Sequence, residues 1–588
     1  MDDNPVVIIG AGPAGLAAGH ELISRNICPV ILERDGIVGG IARTESYKNF
    51  NFDIGGHRFF TKNEEINQLW GELLGNDFVK VNRLSRIFYQ GKYFNYPLRP
   101  ANALFNLGPV ESLLILISYC RARLSPTPEE NSFEEWIVNR FGERLYKTFF
   151  KTYTEKIWGI PCSEIRADWA AQRIKGLSLL VAVSNALFGG QKSKSLIEQF
   201  SYPRLGPGMM WNRFLERIVA GNGKVMLNSE VSSIHHDTGM ITGVEYISGD
   251  TTAMLTLAHC ISSMPISRLV TLFNPQPPSG VLSAANQLSY RSFIIVVLII
   301  DIETLFPDQW LYVHSPTVKV GRIQNFKNWS SFMVPDQSKT TIGMEYFCNT
   351  NDQTWNMQDN ELVEMAKHEM VELGLGEKKQ VVDSYVVRQS HAYPVYDSEY
   401  KKSLQVIRSY LEYFSNLQTI GRSGMHRYNN MDHSMQTGIL AAKNCSGESH
   451  DLWAVNEEKS YLEEDRGARE YPAVPEKVLI GAFARMDKLA FATAVGTICG
   501  LLVLGATLWI ISRGGDVLNS HLRLLAQYFI GYTVTVKGGF IAFGYSFFWG
   551  FLFAWLFAYL RNLFLAIYIY NIKRKAELLS LKDFFDDF

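Results

Sequence analysis

The first segment of the chain changes its hydrophobic pattern twice within a short distance. A continuous β-branched run, Val6–Ile9, predicts a buried strand, the Ala- and Leu-rich stretch after Gly15 predicts a helix, and Pro29–Leu32 predicts a second buried strand. A strand, a helix and a strand in this order form the opening unit of a doubly wound parallel sheet. The pattern therefore predicts an α/β fold.

The middle of the chain has a different pattern. Within residues 86–199 the segment 86–175 is helical and aromatic-rich, and in the region of residues 286–399 the segments 285–350 and 380–396 contain short β-branched runs such as Phe293–Val297. We expect these segments to form a substrate domain, helical plus β-sheet, inserted into a discontinuous domain made of residues 1–85, 200–285 and 400–447. The apolar stretch 176–190 has two interpretations, a buried core segment or a helix that contacts a membrane or lines a substrate channel.

Two stretches without charge lie near the end of the chain, 489–512 and 538–560. Each is long enough for a helix to cross a bilayer core of about 30 Å. They predict a transmembrane helical hairpin within residues 488–575, after a polar linker at 448–487 and before a cytoplasmic tail at 576–588. Buried helices of a large soluble core are the alternative.

Basic residues flank both predicted spans. Arg485 and Lys488 precede the first span, and Arg561 and the run 573–575 follow the second, although Arg523 and other basic residues also lie between the spans. An excess of Lys and Arg marks cytoplasmic flanks. We therefore predict a multi-pass protein of the bacterial inner membrane with its N-terminal domains in the cytoplasm.

Composition narrows the range of partners. Lys plus Arg total 57 against 58 for Asp plus Glu, a net charge of -1, so no nucleic-acid partner is expected. The seven cysteines include no Cys-x-x-Cys pair and are expected to be reduced thiols. No basic segment with an apolar core of signal-peptide type stands at the N-terminus, and no metal site is expected.

A glycine-rich turn joins the first predicted strand to its helix. Gly10, Gly12 and Gly15, with Ala14 before the last, have the Gly-x-Gly-x-x-Gly spacing. The first glycine permits a tight turn, the second lets the backbone approach a pyrophosphate, and the third lets helix and strand pack closely. Glu33, followed by Arg34, ends the second strand, where a carboxylate accepts hydrogen bonds from an adenosine ribose. These features predict a Rossmann-like dinucleotide-binding domain.

Two further segments resemble those of a flavoprotein family that includes amine oxidases, protoporphyrinogen oxidase and UDP-galactopyranose mutase. Gly40 and Arg43, in 39–44, resemble the second glycine-arginine motif, and Gly421 with Arg422 resembles the late segment that closes over the flavin ring. The resemblance implies FAD as the cofactor and NAD(P)H as a candidate external reductant. It also implies further cofactor-binding residues: Gly56, His57, Val231, Met431 and Ser434. For Val231 a plain strand role is the alternative.

A third resemblance concerns the substrate. The segment 153–159 resembles the Tyr-Thr-x-Lys-Gln-Trp-Gly segment of UDP-galactopyranose mutases, and other mutase-like segments follow it in order. It implies a nucleotide-sugar site in which arginines make forked hydrogen bonds to the diphosphate and tyrosine hydroxyls complete them. In that family the reduced flavin acts as a nucleophile toward the sugar. The implied substrate-site residues are His57, Trp158, Arg173, Arg322, Tyr393 and Tyr428.

Three hypotheses about function follow. The first is a membrane-anchored, mutase-like enzyme acting on a nucleotide- or lipid-linked sugar in surface polysaccharide biosynthesis. The second is an FAD-dependent oxidoreductase of protoporphyrinogen oxidase or amine oxidase type that oxidises an apolar or amine substrate; Phe60, at the place of the second mutase histidine, and Asn430, at the place of an aspartate, favour it. The third is a flavin-binding scaffold without catalysis. The sequence leaves the oligomeric state and the electron donor open.

Overall fold

A computed structural model describes residues 4–96, 98, 100–167, 199–456, 486–513 and 524–586. The chain divides into two compact units, Met1–Asp465 and Arg466–Phe588. The predicted substrate-site residue Arg173, the apolar stretch 176–190 and most of the predicted linker lie outside the described residues.

The strands of the first unit are β1 Val6–Ile9, β2 Pro29–Leu32, β3 Thr44–Tyr47, β4 Phe50–Asp53, β5 Phe78–Asn82, β6 Ser85–Tyr89, β7 Lys92–Asn95, β8 Gln199–Pro203, β9 Lys224–Met226, β10 Ser229–Asp237, β11 Met240–Ser248, β12 Thr251–Thr256, β13 His259–Ser262, β14 Phe273–Asn274, β15 Tyr290–Ile300, β16 Trp310–Val313, β17 Arg322–Asn325, β18 Thr340–Cys348, β19 Val381–Pro394 and β20 Leu417–Thr419.

The α-helices of both units are α1 Pro13–Ser24, α2 Glu64–Leu74, α3 Pro100–Leu107, α4 Pro109–Leu124, α5 Phe133–Phe141, α6 Glu143–Tyr146, α7 Thr152–Trp158, α8 Gly208–Ala220, α9 Ile266–Thr271, α10 Ser279–Gln287, α11 Phe326–Trp329, α12 Gln353–Asn356, α13 Asp359–Glu372, α14 Tyr400–Leu411, α15 Met431–Cys445, α16 Lys488–Arg513 and α17 Val536–Asp586. A π-helical segment, Lys147–Lys151, joins α6 to α7.

A parallel sheet with the order β20-β13-β1-β2-β9 carries the glycine-rich turn. Strand β1 lies at its centre, where Val7 pairs with Val30 of β2 and with Cys260 of β13. Successive strand residues point to opposite faces, and each face of β1 enters a separate core: Val7 packs in one and Ile8 in the other. Burial on both faces explains why this strand is a continuous apolar run.

A second sheet has the order β19-β15-β18-β17-β16-β6-β7. Its longest apolar strand, β15, pairs antiparallel with β18 and β19. Phe293 and Ile295 face a core that also contains Trp158 and Tyr393, whereas Ile294 faces a separate core. The sheet thus supplies one wall of the region where the predicted substrate residues lie.

In the second unit, α16 and α17 pack against each other in antiparallel directions. The Asn562 side chain donates to the Met486 carbonyl at 2.8 Å, and the Phe491 and Phe557 rings are 6.2 Å apart. Glycine permits the close approach, since a Cβ on Gly496 would lie 2.8 Å from the Phe547 carbonyl oxygen.

Both helices contain segments long and apolar enough to cross a membrane, Lys488–Ser512 and Val536–Ala566, with mean hydropathies of 2.2 and 1.7. The predicted spans fall within these segments. Helix α17 continues without a break to Asp586, through most of the segment 576–588 that is predicted to be a cytoplasmic tail. No glycine or proline follows Gly550, and Lys, Ala, Glu and Leu favour the helical state.

Candidate functional site

The glycine turn after β1 contains two glycines that the fold itself requires. Gly10 has a φ of +98°, and a Cβ there would lie 2.2 Å from the Ser263 hydroxyl oxygen. A Cβ on Gly15 would lie 1.9 Å from the Gly10 carbonyl oxygen. Gly12 differs, because the atom nearest to a Cβ placed there would be the Cα of Gly40, at 3.9 Å. The open space at Gly12 lies at the N-terminus of α1, where backbone N–H groups favour an anion.

Glu33 holds this turn to the end of β2. Its carboxylate accepts a hydrogen bond from the Ala11 N–H at 2.7 Å and another from the Asp35 N–H at 2.9 Å. Burial raises the pKa of Glu33, and the two N–H donors oppose that effect. The neighbouring Arg34 side chain is exposed and lies 3.3 Å from an Asp35 oxygen. Glu33 therefore stabilises the conformation of the turn. This role is additional to the ribose contact that the sequence predicts for it.

The second glycine motif lies against the first. A Cβ on Gly40 would be 3.3 Å from the Cα of Gly12, so the two turns approach backbone to backbone. Arg43 is fixed beside them: it donates to Glu45 at 2.6 Å, to the Gly40 carbonyl at 3.0 Å and to Gln389 at 3.2 Å. The predicted pyrophosphate arginine is thus held in one orientation.

The late segment reaches the same turn. Gly421 has a φ of +77°, and a Cβ there would lie 3.0 Å from the Cβ of Ala14. Arg422 donates from Nε to the Asn429 carbonyl at 2.9 Å. Helix α15 begins at Met431, three residues before Ser434, so Ser434 is buried in the first turn of the helix rather than at its start.

Two other predicted cofactor residues have close packing. Val231 lies in β10 opposite Tyr246, and its side chain is buried in the same core as Val7. Gly56 lies against the Trp310 ring, where a Cβ would be 2.2 Å from a ring carbon. A side chain at Gly56 would therefore displace this tryptophan.

His57 is held as a neutral ring. Burial lowers its pKa to about 3, and the positive charges of Arg422 and Arg322 act in the same direction. Its Nδ1 is buried and has no hydrogen-bond partner within the described ranges. A buried ring nitrogen in this state suits a polar atom of a bound molecule, because orphaned buried polar atoms are rare in proteins.

Four predicted substrate-site residues come together beside His57 and Arg422. The rings of Tyr393 and Tyr428 are stacked 5.6 Å apart at 21°. Trp158 lies 6.4 Å from the first ring and 6.3 Å from the second. Arg322 donates from Nη2 to the Tyr393 hydroxyl at 2.9 Å. The guanidinium of Arg422 lies 4.7 Å from the Tyr428 ring centre, within cation–π range.

Glu345 is a functional residue that the sequence reasoning missed. Its carboxylate is fully buried, accepts from Arg322 Nε and Nη2 at 2.6 Å, and accepts from the Gln324 side chain at 2.6 Å. It provides the counter-charge that lets Arg322 remain ionised in a buried site. The sequence contains an indication of this role, because Glu345 is the single charged residue of the otherwise uncharged strand β18.

Arg291 is a second residue whose role the sequence reasoning missed. It donates to the Ile157 carbonyl at 3.2 Å and to the Phe347 carbonyl at 3.2 Å. Its guanidinium packs on Gly159, where a Cβ would lie 2.3 Å from Cζ. Arg291 thereby fixes the C-terminal end of α7 and the position of Trp158.

A buried carboxyl lies behind the second glycine motif. Asp53 is fully buried and accepts from the hydroxyls of Tyr202 and Thr44. Thr44 in turn accepts from the Gly208 N–H at 2.9 Å. Burial raises the pKa of Asp53 to about 7, although both hydroxyl donors oppose the shift.

We expect Asp53 to make the first unit less stable as pH rises. The pKa of Asp53 in the folded protein lies above its ordinary value of 3.8, so its stabilising contribution is complete below pH 3.8 and is lost as pH rises through about 7. Asp53→Asn should reduce the loss of stability between pH 5 and pH 8, measured by thermal unfolding of the FAD-loaded chain. Asp383→Asn is the control, because contact with Lys48 lowers the pKa of Asp383 and its contribution is constant over this range. An equal pH dependence in parent and Asp53→Asn would contradict the prediction.

Comparison with known proteins places this site in a family. A family model described as flavin-containing amine oxidoreductase matches residues 13–446. A dTDP-fucopyranose mutase of Escherichia coli is 28% identical over 172 residues, which is 28% of this chain and 44% of the relative. A probable UDP-galactopyranose mutase of Klebsiella pneumoniae is 28% identical over 181 residues, 29% of this chain and 44% of the relative. The match thus spans less than half the length of either relative.

Solved structures share the fold. A crystal structure of reduced UDP-galactopyranose mutase superposes with a TM-score of 0.68 at 20% identity, covering 78% of this chain and 99% of that one. A putative protoporphyrinogen oxidase from Exiguobacterium sp. 255-15 has a TM-score of 0.58 at 17% identity, covering 76% and 99%. At these identities the likeness establishes the fold alone.

The site fits the cofactor that this family carries. The apposed backbones of Gly12 and Gly40 leave room where a pyrophosphate can approach, and the buried Nδ1 of His57 offers a polar contact. The family match covers residues 13–446, most of the chain, and includes Gly40 and His57. The chain therefore belongs to the flavin-containing amine oxidoreductase family and is an FAD-dependent enzyme.

Proposed function

We propose that this protein is a membrane-anchored FAD-dependent enzyme acting on a nucleotide- or lipid-linked sugar, as a mutase-type isomerase in surface polysaccharide biosynthesis. The observation that carries the proposal is the convergence of Trp158, Arg322, Tyr393 and Tyr428 beside Arg422. Residues far apart in the sequence form one wall with a fixed cation and a phenolic hydroxyl. The relatives whose names include mutases of sugar nucleotides support this choice over other chemistries of the family.

The FAD would be held by the residues that line the two glycine turns. Gly12 and Gly40 would approach the pyrophosphate, Arg43 would add a fixed positive charge, and Glu33 would face the adenosine ribose. Bound flavin supplies, when reduced, a nucleophile for the sugar. Arg422 would favour the anionic form of the reduced cofactor through its charge.

The chain's own residues would bind and orient the substrate. Arg322 is locked by Glu345, so its charge does not need to reorganise when a diphosphate binds. The Tyr393 hydroxyl, beside Arg322, would hold a phosphate oxygen, and Trp158 and Tyr428 would present flat faces to a base or a sugar. This arrangement positions a leaving diphosphate and stabilises the charge that develops on it.

Membrane attachment would come from α16 and α17, acting as a transmembrane hairpin. Their outward surfaces are strongly apolar, with exposed residues that include Leu502, Phe540 and Phe553. A bilayer would cover such a surface, which water would not favour. The basic flanks predict that the first unit, Met1–Asp465, lies in the cytoplasm; it is called the flavin-binding unit below.

Nucleotide binding tests the proposal. We expect UDP and UDP-galactose to bind the detergent-solubilised holoenzyme and to perturb the flavin absorbance. Tyr393→Phe should weaken UDP binding about 10-fold, as loss of one hydrogen bond to a charged group predicts. Tyr385→Phe, which alters a tyrosine stacked on Tyr47 instead, should bind like the parent.

The possible outcomes distinguish a nucleotide-linked sugar from a lipid-linked sugar as the substrate. Absence of UDP binding in both the oxidised and the dithionite-reduced enzyme would rule out a nucleotide-linked sugar. Binding of a lipid diphosphate sugar in nanodiscs, weakened in the same way by Tyr393→Phe, would then support the lipid-linked substrate. Failure of both ligands would contradict the proposed function.

An oxidoreductase is the second candidate, favoured by Phe60. This side chain stands where the mutase pattern has a second histidine, and it packs against the core that contains Trp158 and Tyr393. An apolar group there suits an apolar substrate. The two functions differ in electron balance. An oxidoreductase consumes one equivalent of electron acceptor per turnover, whereas an isomerase causes no net oxidation of its substrate and consumes no electron acceptor.

A further inference from the structure

Helix α4, Pro109–Leu124, has one face in the core of the first unit and one apolar face that is exposed among the described residues. On the inner face, Ile115 is buried in the same core as Trp158 and Tyr393, and Tyr119 is also buried. The exposed apolar side chains, with their exposed fractions, are Val110 (72%), Leu113 (58%), Leu114 (37%), Ile117 (56%) and Leu124 (84%). The first four have the i, i+3, i+4, i+7 spacing, and Leu124 follows Ile117 by seven residues, so all five lie on one face of the helix and form one stripe.

The stripe is unusual for a surface that faces only water. Helices on the surface of a soluble unit turn their apolar stripe inward, and contiguous exposed apolar patches mark interaction sites. In α3, just before this helix, Phe105 is 89% exposed and adds an aromatic side chain to the same segment. Ile115 and Tyr119 already pack the inner face of α4. A rotation of the helix about its axis would therefore bury the stripe only by exposing these two side chains.

The charge around the stripe is positive. Arg121 and Arg123 are exposed in the last turn of α4. Two acidic side chains of this region form ion pairs with other cations: Glu111 binds Arg144 at 2.6 Å, and Glu143 binds Lys147 at 2.6 Å. Arg121 attracts Glu143 and Arg123 lies 6.0 Å from the Tyr119 ring centre, but both side chains are exposed and present positive charge at this end of the helix.

We propose that α4 docks in the plane of an anionic lipid bilayer, with its apolar stripe among the headgroups and first acyl carbons. An apolar stripe bordered by arginines is the pattern of an interfacial helix, and anionic lipids attract such arginines. The same chain carries two helices long and apolar enough to cross a bilayer, so a membrane is the surface most consistent with this face. The inference does not depend on which sugar, or which reaction, the site serves.

The docked helix would bring the candidate substrate site to the membrane surface. Ile115 links the stripe to the hydrophobic core that surrounds Trp158 and Tyr393, so both belong to one packed body. A substrate whose carrier is a lipid would then meet the enzyme without leaving the bilayer, whereas a soluble nucleotide sugar would gain nothing from the docking.

Native thiols provide a matched test in the full-length holoenzyme. Cys120 is exposed at the edge of the stripe, three residues after Ile117, and Cys28 is exposed in the loop before β2. In a background with Cys445→Ala and Cys499→Ala, Cys28→Ser leaves Cys120 for an environment-sensitive fluorophore, and Cys120→Ser leaves Cys28 as the control. Both labelled proteins are reconstituted in vesicles of phosphatidylethanolamine and phosphatidylglycerol.

We expect the label on Cys120, but not that on Cys28, to shift its emission to the blue and to be quenched by spin-labelled lipids. The shift should be smaller in vesicles of neutral lipid, since the arginines then lose their partners. Leu113→Glu with Ile117→Glu should abolish the quenching while flavin absorbance and thermal unfolding stay unchanged, because both side chains are exposed.

Two outcomes would overturn the proposal. In the first, the Cys120 label behaves like the Cys28 label in anionic vesicles. In the second, the Cys120 emission shifts equally in detergent and is not quenched by labelled lipid, which would assign the stripe to a protein partner or a second copy of the chain. Loss of sugar-nucleotide binding leaves both measurements unaffected, so this proposal and the proposed function can fail separately.

Discussion

Replacing Glu345 with alanine should lower the free energy of unfolding of the flavin-binding unit by about 3–5 kcal/mol, because it leaves a buried charge without a partner. Glu345 is fully buried and holds both Nε and Nη2 of Arg322 at 2.6 Å. The same change should disorder the Tyr393 contact of Arg322 and weaken binding of a diphosphate ligand. Thermal unfolding, followed by the rise in flavin fluorescence on release, measures the first effect, and ligand titration measures the second.

The controls separate burial from charge. Glu143→Ala removes the partner of Lys147 in an exposed ion pair and should change stability little. Glu345→Gln keeps the shape and a hydrogen-bond acceptor but removes the charge, so it should lie between parent and Glu345→Ala. If Glu345→Ala unfolds at the parent temperature, Arg322 does not depend on this carboxylate and the assigned role is wrong.

Gly15→Ala should prevent assembly of the nucleotide-binding turn, whereas Gly12→Ala should spare the fold and remove the cofactor. A methyl group on Gly15 would lie 1.9 Å from the Gly10 carbonyl oxygen, which is backbone and cannot move aside cheaply. We expect a destabilisation of about 3 kcal/mol from this overlap. A methyl group on Gly12 meets no atom closer than 3.9 Å but occupies the space of the pyrophosphate.

The measurements are FAD content after purification and the unfolding temperature of the protein without FAD. Gly12→Ala should lose about 100-fold in FAD affinity, roughly 2.8 kcal/mol, at an unchanged apoprotein stability. Gly15→Ala should lose both. Full FAD occupancy in Gly12→Ala would show that the pyrophosphate does not approach this position.

Local pattern was sufficient for the start of the fold. The predicted strand, turn, helix and strand appear as β1, α1 and β2, because two-sided burial produces continuous apolar runs and the glycine spacing has steric causes.

Long-range pairing was beyond local pattern. Strand β15 pairs with β19, and this contact brings residues near 290 and 390 together. The partners of Arg322 follow from such pairings, since Glu345 of β18 lies opposite Arg322 of β17 in the ladder. A sequence shows one lone carboxylate in an apolar strand but not the cation across from it, so Glu345 was missed.

The exposed face of α4 illustrates a different limit. Its apolar positions recur with a helical period, and a core-facing helix has the same pattern. Only the structure shows that Ile115 and Tyr119 fill the inner face while Leu113 and Ile117 remain outside. Periodicity thus predicts that a stripe exists but does not predict what covers it.

The order of the central sheet has a consequence for biosynthesis. Strand β20, residues 417–419, completes a sheet whose central strand is β1, residues 6–9, so a ribosome must make nearly the whole flavin-binding unit before that sheet can close. Helix α15 ends at Cys445 and α16 begins at Lys488, 43 residues later. At 5–20 residues per second this interval lasts roughly 2–9 s. The nascent chain therefore has time to close its flavin-binding sheet before α16 is synthesised, and the cofactor can be acquired ahead of the membrane insertion that we propose.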